Sequence, residues 1–411
     1  MKKFSEIFLT GVFGIFLIVS MVMTVSNRED VYSYYENRLY AEMPEISAEN
    51  VIEGDFFNQL ESFLCDHAAG RQTLVKAKTE TDIRLLKRPV VNDVVIGDDV
   101  LLPFNAFEKV DRGQVEEQAE FMASQHARLR DLVESYGGTY LYTAVPCQYV
   151  CYEDAYPFYL NNRREFTGTE ISSLTEAMEK YCIPMLDMLP VFEEDEAAGV
   201  MFATEESPGG DDDIAPLYSS RVDNHYSLQG AYLTYGEIVR RINGASPYDL
   251  KYPQGEEITF RKVEAPYLGS RQRKLMDTVP IDEHLYEAVF REDIPFTRKD
   301  NGIPSEASVY SDAAFENGSV TYSLYMGGDI AETVIDTDRP ELPSALIFGD
   351  SFTNAVEALA YYSFDEMRSV DLRYYTEMSI AQYIEKYQPD IVICIRDYES
   401  LLAADGNGKL F

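Results

Sequence analysis

Tryptophan is absent from the 411 residues, cysteine and histidine are scarce at five and four, and 35 lysines and arginines are outnumbered by 71 acidic residues. Each shortage excludes something. An odd handful of cysteines in so long a chain is no disulfide framework. Cys147 and Cys151, the only close pair, would bridge only if the loop between them bent, and partly buried thiols are the plainer reading for all five. The formal charge of -36 repels phosphate backbones and anionic membrane surfaces, so no nucleic-acid partner is expected. No P-loop, internal repeat or metal-spaced cluster of cysteine and histidine occurs, and no cofactor is expected. The lack of tryptophan weakens a sugar-stacking surface, although 30 tyrosines remain for that purpose. With 45% hydrophobic residues the chain is globular and long enough for one large domain or two.

Lys2 and Lys3 open the chain, and Ile7–Asn27 carries no charge. That stretch can span a bilayer, which takes ~20 residues. Bulky Met and Val stand among Ser20–Ser26 in place of an A-x-A cleavage site. Residues 1–28 therefore predict an uncleaved signal anchor with the lysines cytoplasmic and the rest extracytoplasmic. A cleaved signal peptide would release the same domain. Residues 29–55 are polar and tyrosine-rich and predict a stalk. Phe56–Leu86 has an apolar period interrupted by Asp66–Arg71, which predicts two helices joined at Gly70, with His67 as a structural contact. His126 falls on the apolar stripe Val115, Ala119, Met122, Leu129 and Val133, where a hydrogen-bonded core histidine is expected.

Thr139–Val145, a helix over Thr169–Tyr181 and a strand at Ile183–Leu186 begin a βαβ alternation with right-handed crossovers. The acidic stretch Glu193–Asp213 fits no EF-hand spacing and predicts a solvated loop. From about 244 to 343 the alternation lapses. A bare loop of that length does not suit a compact domain, so small β elements packed beside the nucleophile are expected there. Within it, His284 is assigned to a solvated helix at Ile281–Val289 and Tyr322–Met326 to a strand. Met367–Leu372, Ser379–Tyr387 and Ile391–Ile395 complete the α/β pattern.

Chemistry is concentrated in Leu342–Ala358, LPSALIFGDSFTNAVEA, where a buried-strand pattern ends in Gly-Asp-Ser and a helix begins. Gly349 can take backbone angles that a bulkier residue resists, which would turn the chain and hold Ser351 at the strand's carboxyl end. Open α/β sheets bind ligands along that edge. The free amides of the following helix start would favour negative charge beside the serine. The plainer alternative is that Asp350 or Ser351 only caps the helix. Asp223-Asn224-His225-Tyr226 shifts the balance, because residues i and i+2 of an extended segment face one side. A serine needs a base, and the base needs a carboxylate to fix its tautomer. Asp223, His225 and Ser351 supply all three. Gly327 and Gly328 could bring a backbone amide to the oxyanion.

Asp223–Tyr226, Tyr322–Gly328 (YSLYMGG), Gly349–Asn354 (GDSFTN) and Val370–Tyr375 (VDLRYY) together resemble the bacterial DHHW family, which is similar to the SGNH-like domains of alginate O-acetyltransferases. The likeness continues through Glu36–Pro44, Asp66–Arg71 and Val94–Leu102. It implies an acyl-transfer site with Ser351, His225 and Asp223 as catalytic triad, and Gly328 and Asp329 at the oxyanion hole. The chain departs from the family pattern at Asn224 and Tyr226, where the family name has His and Trp, at Gly349, where Lys is frequent, and at Asp329, where Asn is expected. An ionised carboxylate only accepts hydrogen bonds, so Asp329 counts against that hole.

The expected fold is α/β, a flavodoxin-like, SGNH-type doubly wound parallel sheet over residues 56–411, with a small β-containing insertion at about 244–343. The expected function is O-acyl transfer, taken as acetyl, to a carbohydrate or cell-envelope polysaccharide outside the cell. Coenzyme A is not expected there, and the resemblance implies a membrane acyl-carrying partner. A carbohydrate acetyl esterase would use the same triad. A third reading, a catalytically silent surface module that binds glycan or protein, draws on Asp329.

Overall fold

The computed structural model describes residues 2–26, 31–36, 38–107, 109–198, 201–204, 217–403 and 409–411. They form two compact units, Met1–Ile96 with Ser270–Pro280, and Gly97–Gly269 with Ile281–Phe411. In the first unit, helix α1 (Lys2–Ser26) contains Ile7–Thr24, 18 residues of mean hydropathy 2.4, long and apolar enough to cross a membrane. Helices α2 (Asp55–Asp66) and α3 (Arg71–Glu80) meet at Gly70, whose φ of +74° makes the turn that sequence predicts. His67 is buried at that turn with Nδ1 3.0 Å from the Phe63 carbonyl oxygen. The segment read as a stalk is packed in part, since Tyr34 and Tyr40 are buried and Arg38 grips Asp66 with two bonds of 2.5 and 2.7 Å.

The second unit is built on an eight-stranded sheet. Its strands are β1 (Thr139–Val145), β2 (Met185–Asp187), β3 (Thr297–Asp300), β4 (Ile303–Ser305), β5 (Glu332–Asp336), β6 (Ala345–Gly349), β7 (Glu366–Asp371) and β8 (Ile391–Asp397). They lie in the order β4-β3-β5-β7-β6-β8-β1-β2. Strands β7, β6, β8, β1 and β2 are parallel, and the insertion adds β4, β3 and β5 as an antiparallel wing. The expectation of a flavodoxin-like parallel sheet is corrected on two counts. The sheet is mixed, and its parallel strands, numbered along the chain, lie 2-1-5-3-4 where the flavodoxin order is 2-1-3-4-5. The last strand takes the centre because it is apolar enough to be covered on both faces, and all seven of its residues are buried.

Helices cover both faces. Helix α6 (Leu228–Ala245) and helix α7 (Thr353–Ala360) share a core with Leu141, Ile347 and Ile393. On the other face His126 of α4 (Arg112–Ser135) meets Tyr140 and Tyr142, its Nδ1 2.7 Å from the Tyr140 hydroxyl. Burial and the Arg396 charge push this core histidine down to about 3, so it stays neutral.

Several local expectations change. Tyr286–Phe290 is a strand paired antiparallel with Ile258–Lys262, so the helix assigned to His284 does not form; the aromatic and β-branched residues of the two segments favour the pairing. Tyr322–Leu324 is a 3-10 turn rather than a strand. Glu193–Glu196 lie on helix α5 (Leu189–Ala198), while Asp211–Asp213 are outside the described residues. All five cysteines are free thiols, with Cys65 and Cys182 exposed.

Candidate active site

Strand β6 is buried at every position and ends at Gly349. A Cβ there would stand 2.0 Å from the Ile395 carbonyl oxygen of β8. Close approach of two central strands is what requires this glycine, not an unusual backbone angle. Beyond it, Asp350 Oδ1 accepts the Phe352 amide at 3.0 Å and the Asp350 carbonyl accepts the Thr353 amide at 2.9 Å. Asp350 thus closes the turn that leads into α7, and the helix-start amides expected to be free are engaged. The Ser351 side chain takes no part in these bonds, while its carbonyl accepts the Asn354 amide at 3.3 Å. Its Oγ lies 2.8 Å from His225 Nε2, and its own amide donates to no protein acceptor among the described residues. Below the turn, Asp350 Oδ2 is 3.3 Å from Nη1 of the buried Arg396. The adjoining Asp397 carboxyl is pushed up to about 8 by burial and by the charge of Asp350.

The facing loop, residues 219–226, is closed by a bridge between Ser219 and Tyr226 and by the Ser220 amide, which donates to the His225 carbonyl at 3.1 Å. The side chains of Asp223 and His225 meet on one side of this loop. Asp223 Oδ1 is 2.6 Å from His225 Nδ1 and also accepts the His225 amide at 3.2 Å. The carboxylate assigns the Nδ1 proton, which leaves Nε2 as the acceptor facing Ser351. The imidazole lies flat on Tyr322, with ring centroids 3.7 Å apart and planes 3° from parallel. The Tyr226 hydroxyl donates to the Phe352 carbonyl at 2.6 Å and ties this loop to the serine turn. Tyr322 belongs to the YSLYMGG segment noted in sequence, but nothing in its pattern marks one tyrosine as the partner of a histidine.

Gly327 and Gly328 both have φ of +88°. The Gly328 amide, an expected oxyanion donor, is spent on the Tyr325 carbonyl at 3.1 Å, and the Gly328 carbonyl accepts Asn354 Nδ2 at 3.2 Å. Asn354 is a second residue that sequence reasoning passed over, having treated it only as the helix start. Asp329 is turned to other partners. Its Oδ1 is 2.6 Å from Arg373 Nη2 and its Oδ2 accepts the Tyr374 hydroxyl at 3.2 Å, while the same guanidinium reaches Asp371 at 2.7 Å. Among the described residues no group of three or more His, Cys, Asp and Glu is arranged to hold a metal. A cavity of about 680 Å³, lined in part by Phe296, Asp336, Arg339, Leu342 and Tyr362, lies by the amino end of β6, away from Ser351.

No family sequence profile matches the chain, and no curated protein does. Solved structures do. PatB1 from Bacillus cereus superposes with a TM-score of 0.61 at 18% identity, covering 76% of this chain and 98% of its own. PatB1 bearing a sulfonyl adduct gives 0.59 at 18% identity, over 77% of this chain and 97% of its own. A DHHW family protein from Eubacterium siraeum gives 0.54 at 16% identity, over 77% and 95%. The chain therefore shares its fold with PatB1 and with a DHHW family protein, over three quarters of its length.

Proposed function

We propose that this chain is an extracytoplasmic, membrane-anchored enzyme of the SGNH type that transfers an O-acyl group, acetyl in the simplest case, to a carbohydrate or cell-envelope polysaccharide through Ser351. One observation carries the reading: the unbroken hydrogen-bond relay from Asp223 through His225 to Ser351, at the carboxyl end of a central parallel strand. His225 Nε2 takes the hydroxyl proton as Ser351 Oγ attacks the ester carbonyl, and Asp223 steadies the imidazolium that forms. The tetrahedral oxyanion is met by the Ser351 amide and by the Asn354 side-chain amide, which has an N–H beyond the one given to Gly328. As the intermediate collapses, the bond to the leaving oxygen breaks and His225 returns the proton to it. A sugar hydroxyl then attacks acyl-Ser351 with His225 again as base. If water attacks instead, the same residues make a carbohydrate acetyl esterase.

The apolar helix α1 would anchor the chain, with Lys2 and Lys3 on the cytoplasmic side. Coenzyme A does not reach the outer face, so a membrane partner would deliver the acyl group. The test is direct. The full chain in detergent is treated with a phenylmethylsulfonyl fluoride probe, a reagent class suggested by the sulfonyl adduct of PatB1, and assayed on an acetyl ester. Labelling of Ser351 and turnover are expected, and both should vanish in Ser351→Ala. An unlabelled wild type that is inert on the ester would favour the silent module.

Asp329 no longer supports that alternative, because its charge is met by Arg373. Its side chain is 42% exposed, and an ion pair at that exposure is worth roughly 0–1 kcal/mol. Asp329→Asn is therefore expected to stay within about fivefold of wild type on an acetyl ester at neutral pH. Abolished turnover in a folded Asp329→Asn protein would give Asp329 a direct catalytic role and overturn this account of the oxyanion site.

A further inference from the structure

Glu283 lies in the insertion, outside every motif in the sequence, and is 7% exposed. Burying a carboxylate is costly unless hydrogen bonds replace its water. Both its oxygens have such partners. Oε1 accepts the Ser220 hydroxyl proton at 2.6 Å, and Oε2 accepts the Arg221 amide at 2.8 Å. A serine hydroxyl has a single proton. Once it is given to Glu283, the oxygen's lone pairs are free to face the chain, and Ser220 Oγ accepts the Val222 amide at 3.1 Å and the Asp223 amide at 3.0 Å. Four consecutive residues, Ser220 to Asp223, are thus held by one carboxylate and the hydroxyl it orients. On the far side the loop has no slack, because a Cβ on Gly269 would stand 2.4 Å from the Val222 carbonyl oxygen.

We propose that Glu283 is a positioning residue for the Asp223–His225 pair, acting through the Ser220 hydroxyl, so that the insertion sets the geometry of the base. The inference rests on the reading of Ser351 as nucleophile. Its chemical content is a directed chain: Glu283 fixes which way the Ser220 proton points, Ser220 fixes the backbone that carries Asp223, and Asp223 fixes the imidazole. A displacement of about 1 Å at such a point costs ~10²-fold in rate.

The experiment uses the full chain in detergent, with the rate of Ser351 labelling by the sulfonyl fluoride and the low-field proton resonance of His225 Nδ1–H as readouts. Ser220→Ala deletes only one oxygen. It is expected to slow labelling ~10–100-fold and to move or broaden the His225 resonance, with the fold retained by circular dichroism. Glu283→Gln keeps an oxygen for Ser220 but sets an N–H against the Arg221 amide, so its effect should be intermediate. Glu283→Ala combined with Ser220→Ala should be no slower than the worse single variant, since the two residues act as a unit. Wild-type labelling and an unchanged resonance in folded Ser220→Ala and Glu283→Gln would overturn the proposal, as would effects that simply multiply. If wild-type Ser351 is not labelled at all, the nucleophile reading fails, and the His225 resonance in Ser220→Ala still decides the positioning role.

Discussion

His225→Ala is expected to slow formation of the acyl-Ser351 intermediate by ~10⁴-fold or more, measured as the burst rate on an activated acetyl ester. The size follows from the lack of a substitute. His225 Nε2 is the group within hydrogen-bond distance of Ser351 Oγ, while Asp223 bonds to the far side of the imidazole ring. Tyr322 presents only its ring face to the histidine, and burial pushes its phenol well above the usual range, so it is no base. Asp223→Asn should leave the fold intact and lower the rate ~10⁴-fold, because an amide can present N–H to Nδ1 and so stabilise the wrong tautomer. Removing the imidazole also leaves a flat slot between Tyr322 and Asp223, and added imidazole should restore part of the burst in His225→Ala but none in Ser351→Ala. A His225→Ala enzyme that acylates at the wild-type rate would show that some other group takes the proton, and the relay would be misassigned.

How much of this was readable beforehand depended on the kind of signal each residue leaves. Asp223 and His225 can be paired from their two-residue spacing, although the loop bends there and a turn in which Asp223 Oδ1 accepts the His225 amide, not an extended segment, brings them together. Gly-Asp-Ser at the end of a short apolar run leaves a helix cap open as the reading of Ser351, and only its pairing with Asp223 and His225 singles it out. Gly349 was identified for the wrong cause: its need is the Ile395 carbonyl of a strand some 46 positions later, and no local pattern reports a non-local contact. The insertion holds the small β elements that are expected there, but that three of its strands extend the main sheet as an antiparallel wing is not legible, for a similar reason. Strand β3 reads Thr-Arg-Lys-Asp, with no apolar alternation, yet Arg298 is buried there with its guanidinium donating to the carbonyls of Ser308 and Met326. Glu283 is one carboxylate among 71 acidic residues in the sequence, and only its burial and its two bonds set it apart. Spatial strand order carries no periodic signature at all, which is why the place of the last strand between β6 and β1 is not legible in the sequence.

Arg396→Met is expected to destabilise the second unit by ~3–5 kcal/mol, because it leaves the buried Asp350 without its cation. Both residues are nearly inaccessible, at 2% and 4% exposure, and Arg396 Nη1 stands 3.3 Å from Asp350 Oδ2. Adding Asp350→Asn should recover most of the loss, since the amide oxygen can still cap Phe352 and no charge is stranded. The neighbouring Asp397 gives this cluster a pH dependence whose sign can be worked out. Burial and the Asp350 charge raise its folded value to about 8, so between the ordinary carboxylate range and that value it is protonated when folded and ionised when unfolded. Folding then takes up a proton. The stability this confers is fully present below the unfolded value and is lost as pH rises through about 8. The wild-type denaturation midpoint should accordingly fall from mildly acidic pH towards pH 8, with a slope approaching ~1.4 kcal/mol per pH unit from this one group. In Asp397→Asn, where the side chain is neutral at every pH, that part of the slope should be missing, so the two curves should lie close at the acid end of the window and diverge most towards pH 8. Parallel curves for wild type and Asp397→Asn would mean that Asp397 is ionised in the folded protein, and that Arg396 serves two carboxylates beneath the serine turn instead of one.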